Sequence, residues 1–394
     1  MEKKRGSGAL DTPLLLLLTV AAGLSIGNLY WAQPLLASIA EYFGKSAAEG
    51  GFLITVTQTG YALGILLIIP LGDFLQRKVM IPLLMSTTAL FLLAGGLSPS
   101  FHALSLFLAL MGFTTVTGQV IIPLVGDLAP EHSRGKMIGI VSSGITSGIL
   151  LARFFSGLVA DMFGWRAIYF MAAAFNIALL MQIMRRIPAT QSRRLLPYHR
   201  MIASVFSTAS HIPALPWLVA VSGLSFCVFN MFWVSLTLLL SFAPFNYSTF
   251  QIGLVSLAGF SGAIVAQGVG KLMDKGIGVQ SIGAFTALMG LGMLCSFFSG
   301  ASILLAIIAA AIVSIASQGV MILTQTTLFS LAAEARSRVN TVFVVGNFIF
   351  AAAGSALASF LWRQGGLSSV TLSGMAICFL GLLSWFSAKG KMTA

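Results

Sequence analysis

Apolar residues run down this chain in blocks of about twenty, each closed by a short polar or basic interruption. Within a block they are continuous and do not alternate as strand residues would. A helix needs about 20 such residues to cross a hydrocarbon layer about 30 Å thick. Twelve stretches fit, at about 12–35, 50–71, 79–97, 103–126, 137–160, 165–184, 214–240, 250–270, 280–298, 302–330, 339–362 and 367–388. A membrane barrel would instead show alternation over segments of about 10 residues. The expected fold class is all-α integral membrane, with twelve transmembrane helices.

The interruptions repeat. Gly27-Asn28-Leu29-Tyr30-Trp31 is echoed by Phe229-Asn230-Met231-Phe232-Trp233, 202 positions later. Leu71-Gly72-Asp73 returns as Leu272-Met273-Asp274 after 201 positions, and Leu128-Ala129-Pro130-Glu131 as Leu331-Ala332-Ala333-Glu334 after 203. Three echoes at one spacing and in one order predict two copies of a six-helix unit. The longest break, Arg185 to Pro213, divides them and carries five Arg, three Pro and an amphipathic piece at 201–206. The expected organisation is 1–184 as one half, 185–213 as a linker and 214–394 as the second half. Parallel repeats of this kind place a solute site between the halves, near the bilayer midplane.

Composition agrees with a lipid setting: 57% of residues are apolar and 8% charged, and the mean hydropathy is +0.97. A soluble domain carries about 25% charged residues. The net charge of +12 would suggest a nucleic-acid partner, but its distribution argues against one. With the N-terminus in the cytoplasm, 18 of the 22 basic residues fall on the cytoplasmic side; Lys45, Arg166 and Arg363 fall opposite, and Arg153 lies within a span. The positive-inside rule then sets both termini in the cytoplasm. Cys227, Cys295 and Cys378 sit singly in three spans and read as small packing residues, with no Cys/His cluster at metal-ligand spacing. Neither a metal nor a cofactor is expected. Lys3-Lys4-Arg5 followed by Leu14 to Leu18 has the flavour of a signal peptide. Its apolar run continues through Trp31 into a tag that recurs deep in the chain, which favours a retained first span.

From Pro70 the chain reads Pro-Leu-Gly-Asp73-Phe-Leu-Gln-Arg77-Lys78. This resembles the major facilitator superfamily signature of the loop between the second and third spans, roughly Gly-x-Leu-x-Asp-Arg-x-Gly-Arg-Lys. Leu71, Asp73, Arg77 and Lys78 match; Ile69, Phe74 and Gln76 depart from it. The second copy, Gly270-Lys271-Leu272-Met273-Asp274-Lys275, keeps the Gly and a base that the first lost. Small residues at 144, 148, 152 and 156, and Gly164-Trp165-Arg166 after them, resemble the drug and sugar efflux branch, although Ile145 stands where its antiporter signature has Pro. The stripe also reads simply as a flat surface for close helix contact.

The resemblance implies a bacterial inner-membrane carrier that is multi-pass, monomeric, and moves a small organic solute, with protons as a further partner. It implies a latch between the halves made of Asp73, Arg77, Lys78, Asp127, Asp274 and Lys275. Asp73 would face the N-terminal end of the eleventh span, where the helix dipole favours a carboxylate, and Arg77 would pair with Asp127. The alternative reading is that these are interfacial charges that stop the helices.

Among intramembrane groups Arg153 stands out as the one charge well inside a span. A charge at that depth costs at least ~2.5–3.5 kcal/mol, so it faces a cavity or a partner, or else it snorkels to the interface. As a functional group it would bind a substrate carboxylate or phosphate, or tune a proton site. Asn28 and Trp31, like Asn230 and Trp233, lie three residues apart on one helix face, flanked by Tyr30 and Phe232. Each set reads either as an amide-and-aromatic wall for a ligand or as an interface belt with interhelical glue. Gln58, Gln119, Gln318 and Asn347 are further candidates for ligand contact or for helix–helix hydrogen bonding. No Asp, Glu or His lies mid-span, so proton coupling is an expectation from the family alone. No Gly-x-x-x-x-Gly-Lys-Ser/Thr loop is present for built-in ATP hydrolysis, and no clustered Ser/His/Asp set for an intramembrane enzyme. A receptor would ordinarily add a soluble output domain. The remaining reading is a secondary transporter, exporting or importing by alternating access.

Overall fold

The computed structural model describes residues 10–73, 75–188, 198, 202, 207, 212–331 and 336–392. Among them, eleven helical segments are long and apolar enough to cross a membrane. They are span 1 (Thr12–Tyr42), span 2 (Ala47–Gly72), span 3 (Arg77–Gly96), span 4 (Phe101–Leu128), span 5 (Glu131–Phe163), span 6 (Trp165–Arg186), span 7 (Leu215–Ser241), span 8 (Thr249–Asp274), span 9 (Gly278–Phe297) and span 10 (Ile303–Leu331), followed by Arg338–Lys391. That last segment has 54 residues. At about 1.5 Å per residue it would far overrun one bilayer. It turns over at Gly365 and Gly366, where Gly366 adopts φ 60°, a region open to glycine. The turn divides it into span 11 (338–364) and span 12 (367–391), which gives the expected twelve crossings.

Spans 1 to 6 pack among themselves, as do spans 7 to 12. Span 1 lies on span 5, span 2 on span 4 and span 3 on span 6; span 7 lies on span 11, and spans 8 and 9 on span 10. Large apolar side chains face outward from both halves, among them Phe155, Ile264, Phe360 and Phe379. Lipid is the environment that accepts them.

The small-residue stripe of span 5 packs on span 1. A methyl group on Gly148 would run into the Gly23 carbonyl, and one on Gly144 into Thr19. Backbones that approach this closely replace the hydrophobic drive that lipid does not supply.

The two copies of the aromatic tag fold differently. In span 1 the α-helix stops at Gly27, and Asn28–Tyr30 and Gln33–Leu35 are 3-10 turns. In span 7 the equivalent stretch is uninterrupted α-helix, Leu215–Ser241. Pro34 is the difference: it lacks the N–H that would continue the ladder, and Leu236 stands 202 positions on. Span 4 is also broken, into Phe101–Thr114 and Thr117–Leu128. Side chains of span 1 meet that break. Ser25 Oγ donates to the Thr115 carbonyl, Thr115 Oγ1 donates to the Ser25 carbonyl at 2.7 Å, and the Gly118 N–H donates to Ser25 Oγ at 3.1 Å.

The halves meet along two seams. Span 2 lies against span 11, and the first segment of span 8, Thr249–Val255, lies against span 5. The contact between spans 5 and 8 is confined to one end. Spans 2 and 11 instead stay together from Glu49 and Arg363 to Tyr61 and Phe348, past the middle of the span. Both seams include the end opposite the basic residues. There Gly51 abuts the Ser359 hydroxyl, Gly157 abuts the Thr249 carbonyl, and Glu49 faces Arg363 at 3.7 Å. The single Thr249 hydroxyl proton has two acceptors in reach, the Gly157 carbonyl at 3.1 Å and Asp161 Oδ1 at 3.4 Å. Toward the other end span 8 leaves span 5; its segment Phe260–Asp274 packs mainly on span 10. Gly135 and Gly139 of span 5 and Gly268 and Gly270 of span 8 have open space around them. This parted end carries Arg77, Lys78, Arg134, Lys136, Arg185, Arg186, Lys271, Lys275, Arg338, Lys389 and Lys391.

The expected 185–213 linker falls mostly outside the described residues. Within it, Tyr198 donates to the Leu67 carbonyl at 2.6 Å.

The seam at Gly157 has no room for a side chain, so Gly157→Val should force the sealed end apart. In a background without native cysteines, spin labels at Glu41→Cys and Phe242→Cys should then report a longer distance. An unchanged distance would place the seal elsewhere.

Candidate functional site

Arg153 lies on span 5 beside the seam with span 8; a methyl on Gly253 of span 8 would stand 3.2 Å from the Arg153 carbonyl oxygen. Its side chain is 1% exposed, so it does not snorkel to an interface. The guanidinium carbon lies 4.2 Å from the Trp233 ring centre, 4.9 Å from Tyr30 and 5.7 Å from Phe229. Tyr30 belongs to the first half, and Phe229 and Trp233 to the second, so the cation joins them across the molecule. Among the described residues none of its three nitrogens has a hydrogen-bond partner. Rings contribute about 0.5–2 kcal/mol each to holding a cation. They accept on their faces and leave the in-plane N–H donors unanswered. Removing a charge from water costs several kcal/mol even after relaxation. Arg153 is therefore a buried, ring-clad cation whose donor edge lacks an acceptor.

The aromatic surface extends beyond the box. Phe226 stacks on Phe229 at 5.7 Å, Phe348 meets Phe226 at 5.4 Å, and Tyr61 meets Phe348 at 4.5 Å. Phe226, Phe229 and Trp233 stand at i, i+3 and i+7 on span 7, one face of a helix. That stripe is legible in the sequence, and of its three residues only Trp233 is among the expected site residues. Tyr61, three residues after Gln58, carried the same kind of signal.

The amides divide into several groups. Gln58 Nε2 donates to Asn230 Oδ1 at 2.6 Å, tying span 2 to span 7 across the halves, and Asn230 Nδ2 donates to the Phe226 carbonyl at 2.9 Å. Gln58 Oε1 is buried without a partner, as are Asn347 Oδ1 and Trp233 Nε1. Gln119 Nε2 donates to the Tyr61 hydroxyl at 3.2 Å and is half-buried. Gln318 lies within the second half, beside Gly262 of span 8. Asn28 is occupied at both ends: its Oδ1 accepts from Trp31 Nε1 at 2.8 Å and its Nδ2 donates to Thr115 Oγ1 at 3.0 Å. The Trp31 carbonyl in turn accepts from Ser156 Oγ. In the first half the tag thus stitches spans 1, 4 and 5 together. Phe232 is buried in the core of the second half, with its ring 5.5 Å from Trp233. Structure therefore brings Arg153, Tyr30, Trp233, Asn230 and Gln58 to the middle of the seam, and engages Asn28 and Trp31 elsewhere.

At the basic end Arg77 Nη1 and Asp127 Oδ2 are 2.6 Å apart, joining span 3 to span 4 within one half. Asp127 is 65% exposed, and an exposed pair contributes about 0–1 kcal/mol. Lys78, Asp274 and Lys275 are exposed at the same end, and the Asp73 side chain lies outside the described residues.

Two six-helix halves closing over a buried polar and aromatic cluster define a multi-pass membrane transporter. The family model of the Major Facilitator Superfamily matches residues 15–355, and the chain belongs to that superfamily. It is 35% identical to the uncharacterized transporter YgaY of Escherichia coli O157:H7, over 98% of each chain. It is 29% identical to the Probable transporter SCO4007 of Streptomyces coelicolor, over 93% of this chain and 86% of that relative. Among solved structures it shares the fold of a bacterial homolog to the human lysosomal transporter Spinster in its inward-facing, occupied conformation. That match has a TM-score of 0.77 and 15% identity, covering 96% of this chain and 97% of the other.

A cation held without a counter-charge stores free energy in the fold. Arg153→Met should therefore raise the unfolding midpoint of the detergent-solubilised protein by a few degrees. A drop would mean that the guanidinium serves the fold rather than a ligand.

Proposed function

We propose that this transporter is a secondary carrier exporting a small organic solute across a bacterial inner membrane by alternating access. The observation that carries the reading is the asymmetry of the seam between spans 5 and 8, in contact at one end and parted at the base-rich end, with the arginine–aromatic cluster beside it. With the base-rich end in the cytoplasm, as the positive-inside rule directs, this is the inward-open member of a pair of states. The outward-open state follows from parting Gly157 from Thr249, Gly51 from Ser359 and Glu49 from Arg363. Those contacts involve small residues and one partly exposed ion pair, itself about 0–1 kcal/mol. A seal built this way opens at modest cost.

In this reading residues 1–184 and 214–394 move as two bodies joined by 185–213, and the carrier works as a monomer. The efflux direction is supported by the likeness of span 5 and Gly164-Trp165-Arg166 to the efflux branch. Energy comes from a gradient, since the sequence holds no phosphate-binding loop for ATP. Asp161 is the acid best placed to couple protons, because the Thr249 hydroxyl is within reach of it across the seam. The basic-end charges Asp73, Arg77, Lys78, Asp127, Asp274 and Lys275 act as the latch of the opposite state.

Proteoliposomes loaded with panels of drugs, sugars and amino acids test the carrier. The expected result is saturable counterflow of at least one class, stimulated by an imposed pH gradient, and pH-indifferent in Asp161→Asn. Flux that ignores the gradient in the native protein would remove coupling. Absence of saturable flux for every class would remove the carrier reading. Net uptake that persists against the gradient would make it an importer. The latch predicts that Asp73→Asn shifts the distance between the two labelled halves; no shift would eliminate it.

A further inference from the structure

We propose that the central site binds a monovalent organic anion, a carboxylate on an aromatic or branched apolar body, and that Arg153 is the residue that selects it. The inference rests on the carrier reading for its biological use, but the binding step can be tested without transport.

The charge on the ligand follows from what surrounds Arg153. Its faces are covered by Trp233, Tyr30 and Phe229. What remains is the edge of the guanidinium, with five N–H donors in one plane and all three nitrogens unpartnered. A carboxylate is planar and accepts two of these bonds side by side, each strengthened by charge. A neutral carbonyl satisfies a donor and leaves the positive charge uncompensated. An ammonium adds a second cation to a buried site. A dianion is disfavoured for the converse reason: among the described residues no second base lies mid-span to balance it.

The body of the ligand follows from the rings. Phe229, Phe226, Phe348 and Tyr61 continue from the box, each touching the next. Span 7 starts at the base-rich end, so the order Trp233, Phe229, Phe226 runs from the cation toward the parted end of the seam. A solute entering from that end would slide an apolar body along these rings and place its carboxylate at Arg153. Aromatic and branched groups fit such a surface through contact area and ring geometry. Two acceptors, Gln58 Oε1 and Asn347 Oδ1, remain for an N–H or O–H of the ligand, and Trp233 Nε1 remains as a donor.

Matched solutes separate the head group from the body. Purified protein in detergent is titrated with 3-phenylpropionate, its amide, its amine analogue and phenylsuccinate, then with indolyl and branched aliphatic monocarboxylates, reading tryptophan fluorescence and thermal shift. The expected order is monocarboxylate tightest, dianion and amide weaker, amine undetectable. In Arg153→Gln the carboxylate should lose about 30-fold, falling to the affinity of its amide, while amide binding stays put. Arg153→Lys, which keeps the charge and loses the fork, should fall between. A purely structural defect would weaken all solutes together and leave the ratio of carboxylate to amide intact. Equal or tighter binding of the amide or amine by the native protein would overturn the proposal. So would an unchanged ratio in Arg153→Gln, or failure of every monocarboxylate to bind at millimolar concentration. Carboxylate binding through Arg153 without flux in proteoliposomes would sink the carrier reading and leave this one standing. Saturable flux restricted to neutral or cationic solutes would do the reverse.

Discussion

Hydrocarbon offers no hydrogen bonds, and the rest of this structure depends on that fact. A backbone group left unsatisfied there costs several kcal/mol. Twelve closed helical ladders are the first consequence. The second shows where ladders open. At the break in span 4 the freed groups are taken by Ser25, and Thr115 returns a bond to span 1. Most hydroxyls within the spans fold back on their own helix, as Thr57 does on Leu53, Thr286 on Ile282 and Thr324 on Val320. Against that background a buried group with no partner is conspicuous. Among the described residues such groups on Arg153, Gln58, Asn347 and Trp233, together with Gln33 and Ser225, belong to helices that meet at the seam.

The same constraint shapes how the helices meet. Helices in lipid gain nothing from burying leucine against leucine, so they associate through close backbone contact. The contacts of span 5 with span 1 and the seam contacts of span 5 with span 8 are both built from glycine. They differ in extent: Gly144, Gly148 and Gly27 line a long stripe, whereas Gly157 and Gly253 make a single crossing. A long stripe has many close contacts to lose on separation. One crossing can be broken and remade.

The fold could be read from the chain because lipid penalises error at every residue. Span ends expected from hydropathy fall within a few residues of the helices, with two exceptions. At the end of span 1, 3-10 turns and a short helix carry the segment on to Tyr42, and at the start of span 5 a 3-10 turn extends it back to Glu131. The site was only half legible. Arg153 announced itself, since a charge mid-span must find an explanation. Its neighbours did not. Periodicity shows that Phe226, Phe229 and Trp233 share a face, but not which helix from the other half lies opposite. The tags are alike in sequence and differ in what they touch. One proline separates them. With Pro34 in span 1 the Asn28 amide turns to Trp31 and Thr115, while Asn230, on an unbroken helix, reaches Gln58 across the seam.

The two copies disagree at the residues that build the candidate site. Span 11 packs on span 7 much as span 5 packs on span 1; a methyl on Gly354 would meet the Cys227 carbonyl, as one on Gly148 would meet that of Gly23. Yet the position 202 after Arg153 is Ser355, whose hydroxyl is spent on the Ala351 carbonyl. Tyr30 of the box corresponds to Phe232, which is buried in the core of its own half. Phe229 of the box corresponds to Gly27, which is pressed against span 5. Two strictly equal halves would place matching charges on both sides of the axis, and two buried guanidiniums would repel each other in a medium that screens poorly. A single cation at the seam requires that symmetry be broken. It is broken at these three pairs, and each departure either supplies the charge, covers its face or keeps the other half from duplicating it.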